Sequence, residues 1–339
     1  MKILYGVQGT GHGHINRAKA LIPILRKHVE VDVLLSGYNF NIDLDGEVKF
    51  KKRGISLTYD SKGSVDLVDT ALNLNPVRLI KDIKSIQNET YDFTITDFEP
   101  ISAWASRLYG IPCIGLSHQA SFFSEKTPRP EIRSNFAEYI IKNFAPCDHY
   151  LGTHYKRYDH FIEPPILREE VINLSPKKGN HITVYLPAFS HEVLVEKFKL
   201  VPEVEWHLFS PSCNALITDV NVRVFPVGKT SFLDSLENSL GLISSAGFEG
   251  PSEAMYLKKK ILVIPIKNQY EQLCNAEAIT KLGGEVVLQI EDDFPDILRN
   301  WVNKGKRMEL NEVCDVEMLV QKILKIGSEV SPTYKRKSA

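Results

Sequence analysis

The sequence has almost no charge imbalance: 41 Lys and Arg stand against 42 Asp and Glu, a net charge of −1 over 339 residues. So balanced a chain offers no bulk field to draw nucleic acid or an anionic membrane. Cysteine is scarce. The five, at 113, 147, 213, 274 and 314, are odd in number, scattered, and never paired as CxxC. That argues against a disulfide or zinc framework and suits reduced thiols in a cytoplasmic protein. No run approaches the roughly 18 apolar residues of a spanning helix. The start "MKILYGVQGTG" has too short an apolar run for a signal peptide. Phosphate-loop patterns are missing too. "GTGHGH" is not GxGxxG followed by an acidic residue about twenty positions on, so no dinucleotide cofactor is expected. Gly228-Lys229-Thr230 has only the last letters of a P-loop.

What is present is alternation. Apolar residues make up 43% of the chain, enough for a core in each of two domains. "KILYGV", "EVDVLLS", "YDFTITD", "IPCIGLS" and "CDHYLGT" read as buried strands. Between the first two, Ile15 to Lys27 reads as a helix with Ile15, Ala18, Leu21, Ile22 and Leu25 on one stripe. "EPISAWASRLYG" reads as another helix, closed by Gly110. Strand–helix–strand repetition implies a parallel sheet with right-handed crossovers. Phe161 to Asn180, with its prolines and no sustained period, reads as a connection. Then "HITVYLP", "VEWHLFS", "NVRVFPV", "LGLISSAG", "KILVIP" and "GEVVLQI" restart the pattern. The expected organisation is an α/β chain with a doubly wound domain over 1–163, a second over 164–330, and a basic tail over 331–339.

Ligands of open α/β sheets sit beyond the carboxyl ends of strands, and both glycine-rich loops fall there. In the second domain, a strand ends at Ile243. Gly247 and Gly250 keep the next loop lean, and Pro251 suits a first helical turn. The exposed N–H groups and the dipole of such a helix start make an anion site, for which a diphosphate is the natural guest. Glu253, inside the first turn, is placed to chelate a ribose diol. After Pro265, Glu271 and Gln272 begin another helix and are suited to sugar hydroxyls. The plainer alternatives are a capped helix and a solvated helix start.

The spacing Gly247, Glu253, Pro265, Glu271-Gln272, Asn275 resembles the donor-site signature of GT-B glycosyltransferases, as in the plant UDP-glycosyltransferases and the bacterial lipid II-forming N-acetylglucosaminyltransferase. The likeness extends over the whole chain. It implies a GT-B fold, with two Rossmann-like domains facing each other across a cleft. It also implies transfer of a hexosyl or N-acetylhexosaminyl group from a nucleotide-diphosphate donor, most readily UDP-linked, with inversion and no metal. Ser245, Gly247, Phe248, Gly250 and Ser252 would hold the diphosphate, with Ser190 standing in for a missing glycine-rich loop. Glu253 would hold the ribose, and Glu271, Gln272 and Asn275 the sugar side. Where the plant enzymes place a histidine and an asparagine near the diphosphate, this chain has Ser245 and Glu249. A carboxylate there is unfavourable unless it points away.

The first domain would then hold the acceptor and a base. Histidine suits a base because it titrates near neutrality, and it needs a carboxylate to orient its other nitrogen. His14 resembles the loop histidine of both families, and Asp97 the partner aspartate. The plainer reading makes both of them helix caps. Gly11, His12, Gly13, Glu99 and His118 complete the acceptor-side candidates. Glu99 is an alternate base, and the glycines allow close approach to substrate. A metal site from His12, His14, His118 and Asp97, or from Asp43–Asp45, ranks lower. The acceptor would be a carbohydrate, a lipid-linked compound or a small molecule, met by Tyr38–Asp69 and Ser121–Ile132. Asn75 to Thr90 reads first as a core-packing helix. Its sharper reading is a peripheral patch on the inner face of a membrane. Two rivals remain in view: a UDP-sugar epimerase and a non-catalytic nucleotide-sugar-binding protein.

Overall fold

The computed structural model describes residues 1–9, 12–37, 44, 48–55, 58–59, 65–66, 75–86, 90–177 and 179–331, with backbone alone at 12, 58–59, 65–66 and 229–230. The first sheet contains β1 (Lys2–Gln8), β2 (Glu30–Ser36) and β3 (Phe50–Lys52). A small antiparallel pair, β4 (Thr58–Tyr59) and β5 (Val65–Asp66), stands apart from it. The sheet continues with β6 (Phe93–Asp97), β7 (Cys113–Ser117), β8 (His149–Thr153) and β9 (Ile162–Glu163). Its order is β3-β2-β1-β6-β7-β8-β9, and every neighbour is parallel. Helices cover both faces of such a sheet, which is why β6 and β7 are buried at every residue, the polar Thr94, Thr96, Asp97 and Ser117 included.

The second sheet is built from β10 (His181–Tyr185), β11 (Glu205–Ser210), β12 (Ile217–Asp219), β13 (Val222–Pro226), β14 (Gly241–Ser244), β15 (Lys260–Val263) and β16 (Glu285–Val286). Its order is β12-β13-β11-β10-β14-β15-β16, antiparallel only at the β12 edge. Every strand read from the sequence is there. In each sheet the winding reverses once, where β1 lies between β2 and β6 and where β10 lies between β11 and β14. The crevices beyond those carboxyl ends are the fold's ready-made ligand positions.

The helices of the first half are α1 (His12–Leu25), α2 (Pro76–Lys84), α3 (Pro100–Tyr109) and α4 (Asn135–Asn143), with a 3₁₀ turn at Gln119–Phe123. The expected stripe of α1, Ile15 to Leu25, is buried. In α2, Leu79 and Ile83 pack on the core beside α3 while Val77 and Ile80 stay exposed, so the core-packing face of this stretch is real. Later come α5 (Glu169–Ile172), α6 (His191–Phe198), α7 (Lys229–Asn238), α8 (Glu249–Tyr256), α9 (Tyr270–Lys281), α10 (Phe294–Lys304) and α11 (Val316–Val330).

Two expectations about organisation are corrected. The Pro-rich stretch from Phe161 opens as β9, the last strand of the first sheet. And α11, assigned with 164–330 to the second domain, returns to the first. Its Leu319, Val320 and Ile323 are buried among Ile15, Leu21 and Ile22 of α1 and the strands beneath. An apolar stripe tells where a helix must bury a face, not which core receives it. Of the tail, 332–339 lies outside the described residues. So do Gly11, Asp43, Asp45 and most of Tyr38–Asp69. Among the described residues no helix is long and apolar enough to cross a membrane.

Candidate active site

His14 lies in the first turn of α1, and Asp97 ends β6 one strand away. The His14 Nδ1 stands 2.7 Å from Asp97 Oδ1. An ionised carboxylate only accepts, so Nδ1 carries the proton and Nε2 is left as the basic nitrogen. Among the described residues nothing hydrogen-bonds Nε2, and the side chain is 13% exposed. The helix-cap reading of Asp97 fails, because Glu99 caps α3 instead, accepting from the backbone N–H groups of Ile101 and Ser102. The same bonds remove Glu99 from the acceptor side. It is fully buried, also takes a hydrogen bond from Ser36 Oγ at 2.7 Å, and burial pushes its carboxyl up.

Arg17, one turn after His14 on the same helix face, completes the cluster. Its Nε donates to Asp97 Oδ2 at 2.7 Å and its Nη2 to Oδ1 at 3.0 Å, a two-pronged grip that only a guanidinium makes. Burial alone would raise the Asp97 pKa. The Arg17 guanidinium and His14 more than offset it and hold the carboxyl below the usual aspartate range. Arg17 has a third partner across the cleft, since its Nη1 donates to Glu249 Oε1 at 3.1 Å. Glu249 opens α8 in the second half. Its carboxyl therefore points to a cation rather than into open cleft, resolving the conflict its position raised. Gly13 faces Glu249 across the cleft with no room for a side chain: a Cβ there would stand 2.8 Å from Glu249 Cγ. Burial pushes the Glu249 carboxyl up to about 7, against the pull of Arg17.

On the donor side the loop from Ser244 runs into α8 with no side chain capping its first N–H groups. Gly247 faces open space, and its carbonyl accepts from Tyr155 Oη at 3.2 Å. Gly250 is part-buried in the first turn, Ser245 is half-buried, and Ser190 is exposed at the start of α6, beyond the end of β10. Ser252 is withdrawn from this surface: it is fully buried and its hydroxyl donates to Phe248 O at 2.8 Å. Phe248 is also buried and stacks on His118 at 4.1 Å.

Glu253 is 4% exposed and is gripped by Arg168, which donates from Nε at 2.7 Å and from Nη2 at 2.8 Å. Burial raises its pKa while Arg168 pulls the other way. Gln272 uses its carbonyl oxygen to accept from Ile266 N at 2.9 Å, and Glu271 accepts from Gln119 Nε2 at 2.9 Å. Two candidates prove to be braces rather than open contacts. Asn275 is fully buried, accepts from His118 Nε2 at 2.7 Å, and donates to Ala246 O at 3.0 Å. His118, 2% exposed, also bonds Thr153 O through Nδ1 at 2.8 Å, so neither nitrogen faces the cleft. Both partners are oxygens, so both bonds are made in full only by the imidazolium, which Glu271, Thr153 and Asn275 favour, while burial pushes the ring towards the neutral form with one N–H. So held, His118 joins neither His14 nor a metal set with it. His12 has a described backbone only.

The model for glycosyl transferase family 1 matches residues 1–304. The chain belongs to that family. Its fold is GT-B, shared with solved glycosyltransferases far apart from it in sequence. MurG from Acinetobacter baumannii is 11% identical over 96% of this chain and 99% of its own, with a TM-score of 0.60. UGT89C1 from Arabidopsis thaliana, solved with quercetin, is 11% identical over 98% and 95%, with a TM-score of 0.58. SsfS6 from Streptomyces sp. SF2575, solved with thymidine diphosphate, is 12% identical over 96% and 99%, with a TM-score of 0.60. No curated protein matches the chain in sequence. As a glycosyltransferase it works on a nucleotide-sugar donor and an acceptor. Sequence reasoning missed the buried Arg17 and the half-buried Arg168. Arg17 had a signal in its helical spacing from His14; Arg168, in an irregular connection, had none.

Proposed function

We propose that this glycosyltransferase moves a hexosyl or N-acetylhexosaminyl group from a nucleotide-diphosphate donor, UDP-linked ahead of other bases, to an acceptor hydroxyl with inversion. The observation that carries the reading is the His14–Asp97 contact at 2.7 Å with the other ring nitrogen uncommitted among the described residues, at the reversal point of the first sheet. His14 Nε2 takes the acceptor's proton as its oxygen attacks the anomeric carbon from the face opposite the leaving group. Asp97 holds the Nδ1–H and stabilises the imidazolium that forms, and Arg17 holds Asp97. The leaving diphosphate gathers charge at the uncapped start of α8, where N–H groups and the dipole receive it. That stabilisation supplies what a divalent cation otherwise would, so the reading includes neither metal nor cofactor. Glu253, its rotamer pinned by Arg168, offers its remaining lone pairs to the ribose diol, and Glu271 meets the sugar. The nucleotide diphosphate in SsfS6 and the quercetin in UGT89C1 support one donor and one hydroxyl-bearing acceptor on this fold.

The test incubates the protein with UDP-, dTDP- and GDP-sugars and an acceptor panel, reading both nucleotide release and sugar products. A glycoside of inverted anomeric configuration is expected, with His14→Ala slower by about 10²–10⁴-fold while donor affinity is kept. An unchanged rate in His14→Ala defeats the base assignment. Conversion of the UDP-sugar without any acceptor favours an epimerase, and binding without turnover favours a carrier.

A further inference from the structure

Glu249 is the one carboxylate at the start of α8 that faces the other half of the molecule, and its neighbours fix what it can do. Arg17 and His14 face it from α1, Asp97 from the end of β6, Glu253 from within α8, and Arg168 and Tyr155 from the segments packed behind. Arg168 is spent on Glu253. That leaves the single positive charge of Arg17 to serve both Asp97, with two hydrogen bonds, and Glu249, with one. Two carboxylates on one guanidinium carry a net negative charge before any donor arrives. Gly13 leaves the room that Glu249 occupies, since a Cβ there would stand 2.8 Å from Glu249 Cγ.

We infer that Glu249 takes up a proton when the donor's diphosphate arrives at the start of α8, so that nucleotide-sugar binding to this chain is proton-linked. This rests on the donor-site reading above. A diphosphate adds two negative charges beside a carboxylate that opens the same helix and is tied to Arg17, and like charges at close range force one group to neutralise. Asp97 is held ionised by the Arg17 fork and His14. Glu249, with one hydrogen bond to Arg17 and partial burial, is the group that yields. The proton comes from solvent and sits on a Glu249 oxygen, and the phosphate keeps its charge. The neutral carboxyl then donates an O–H where it had only accepted, and Arg17 Nη1 is released towards the phosphate side. Burial has already pushed the Glu249 carboxyl up to about 7 in the free protein, so this step spans a small gap.

The experiment is calorimetric titration of the full chain with UDP-glucose, dTDP-glucose and GDP-mannose at pH 6, 7 and 8, in buffer pairs of different ionisation heat. Sugar nucleotides serve because their diphosphates do not titrate in this range. Below about pH 7 free Glu249 already carries the proton, and affinity is flat. Above it the wild type is expected to take up close to one proton per nucleotide at pH 8, with affinity falling about fivefold between pH 7 and 8. Glu249→Gln, which keeps the acceptor for Arg17, is expected to lose that uptake and hold its pH 6 affinity at pH 8. His14→Gln is expected to keep the uptake. Binding without proton uptake at pH 8, or equal uptake in Glu249→Gln, overturns the inference and leaves the donor site standing. No binding by the wild type to any of the three overturns the donor-site reading and this one with it. Where Glu249→Gln fails to fold, uptake that His14→Gln retains still supports the inference, and uptake lost in His14→Gln overturns it.

Discussion

Among the buried and half-buried carboxylates about the cleft, the partner of each decides its role. Glu99 caps a helix, Glu253 meets one guanidinium, Glu249 shares another, and Asp97 receives the fork of Arg17 together with His14. Removing the fork tests the arrangement. Arg17→Met strands a buried Asp97 with histidine alone, and breaking a buried pair from one side costs about 3–5 kcal/mol. In the wild type the folded Asp97 carboxyl titrates below its unfolded value, so its contribution is present above the ordinary aspartate range and is lost as pH falls through the folded value. In the variant the carboxyl rises, and acid relieves the penalty by protonating it. Urea unfolding is therefore expected to separate the two proteins widely at pH 7 and less at pH 4.5. An equal gap at both pH values removes Asp97 from the explanation. At this scale the sequence was half legible. His14 and Asp97 stand in a recognisable motif context and their types state their chemistry. Arg17 had the right spacing, yet nothing local says that a helical arginine is 3% exposed rather than in solvent. Asn275 and His118 were picked as ligand contacts, and their bond to each other spans 157 residues, which no motif encodes.

Elements were easier to read, because a parallel sheet covered on both faces writes itself as apolar runs, and the strands from "KILYGV" to "GEVVLQI" stand where those runs are. What escaped was short or at an edge: the two-residue β9, the antiparallel β12, and the destination of α11. That helix opens with Asp315 accepting from Met318 N at 3.0 Å, an ordinary cap. Its docking depends on a glycine. A Cβ at Gly327 would stand 2.3 Å from Cε1 of Phe93, a ring with no exposure at the start of β6. Flexible surface atoms would yield, but a core ring against β6 will not. Gly327→Ala gains some helix propensity and still is expected to lose about 1–3 kcal/mol through overpacking. Thermal and urea unfolding would read this directly. A stability equal to or above the wild type means that α11 does not press on Phe93 as described.

Across the whole molecule the halves are held together around the active site rather than away from it. His118 bonds Asn275, Gln119 bonds Glu271, Tyr270 Oη donates to Glu138 at 2.9 Å, and Phe122 packs with Tyr270 and Cys274. Arg17 and Glu249 add a charged contact beside His14. On the proposed reading donor and acceptor enter between these surfaces, so the ties have to be weak enough to open and specific enough to restore one geometry. His118 is the tie with the highest stake, because both its nitrogens are committed in a buried site. Asn275→Ala removes an acceptor from a buried ring N–H and a donor from Ala246 O, and stranding such groups costs about 1–3 kcal/mol. If His118–Asn275 joins the halves, the loss appears on both sides of the cleft. Amide hydrogen exchange is expected to quicken in 118–123 of the first half as well as in 270–279 of the second, with the strands β1 and β6 unchanged. Faster exchange confined to 270–279 would make Asn275 a local brace of α9, and closure of the cleft would then fall to Arg17 and Glu249.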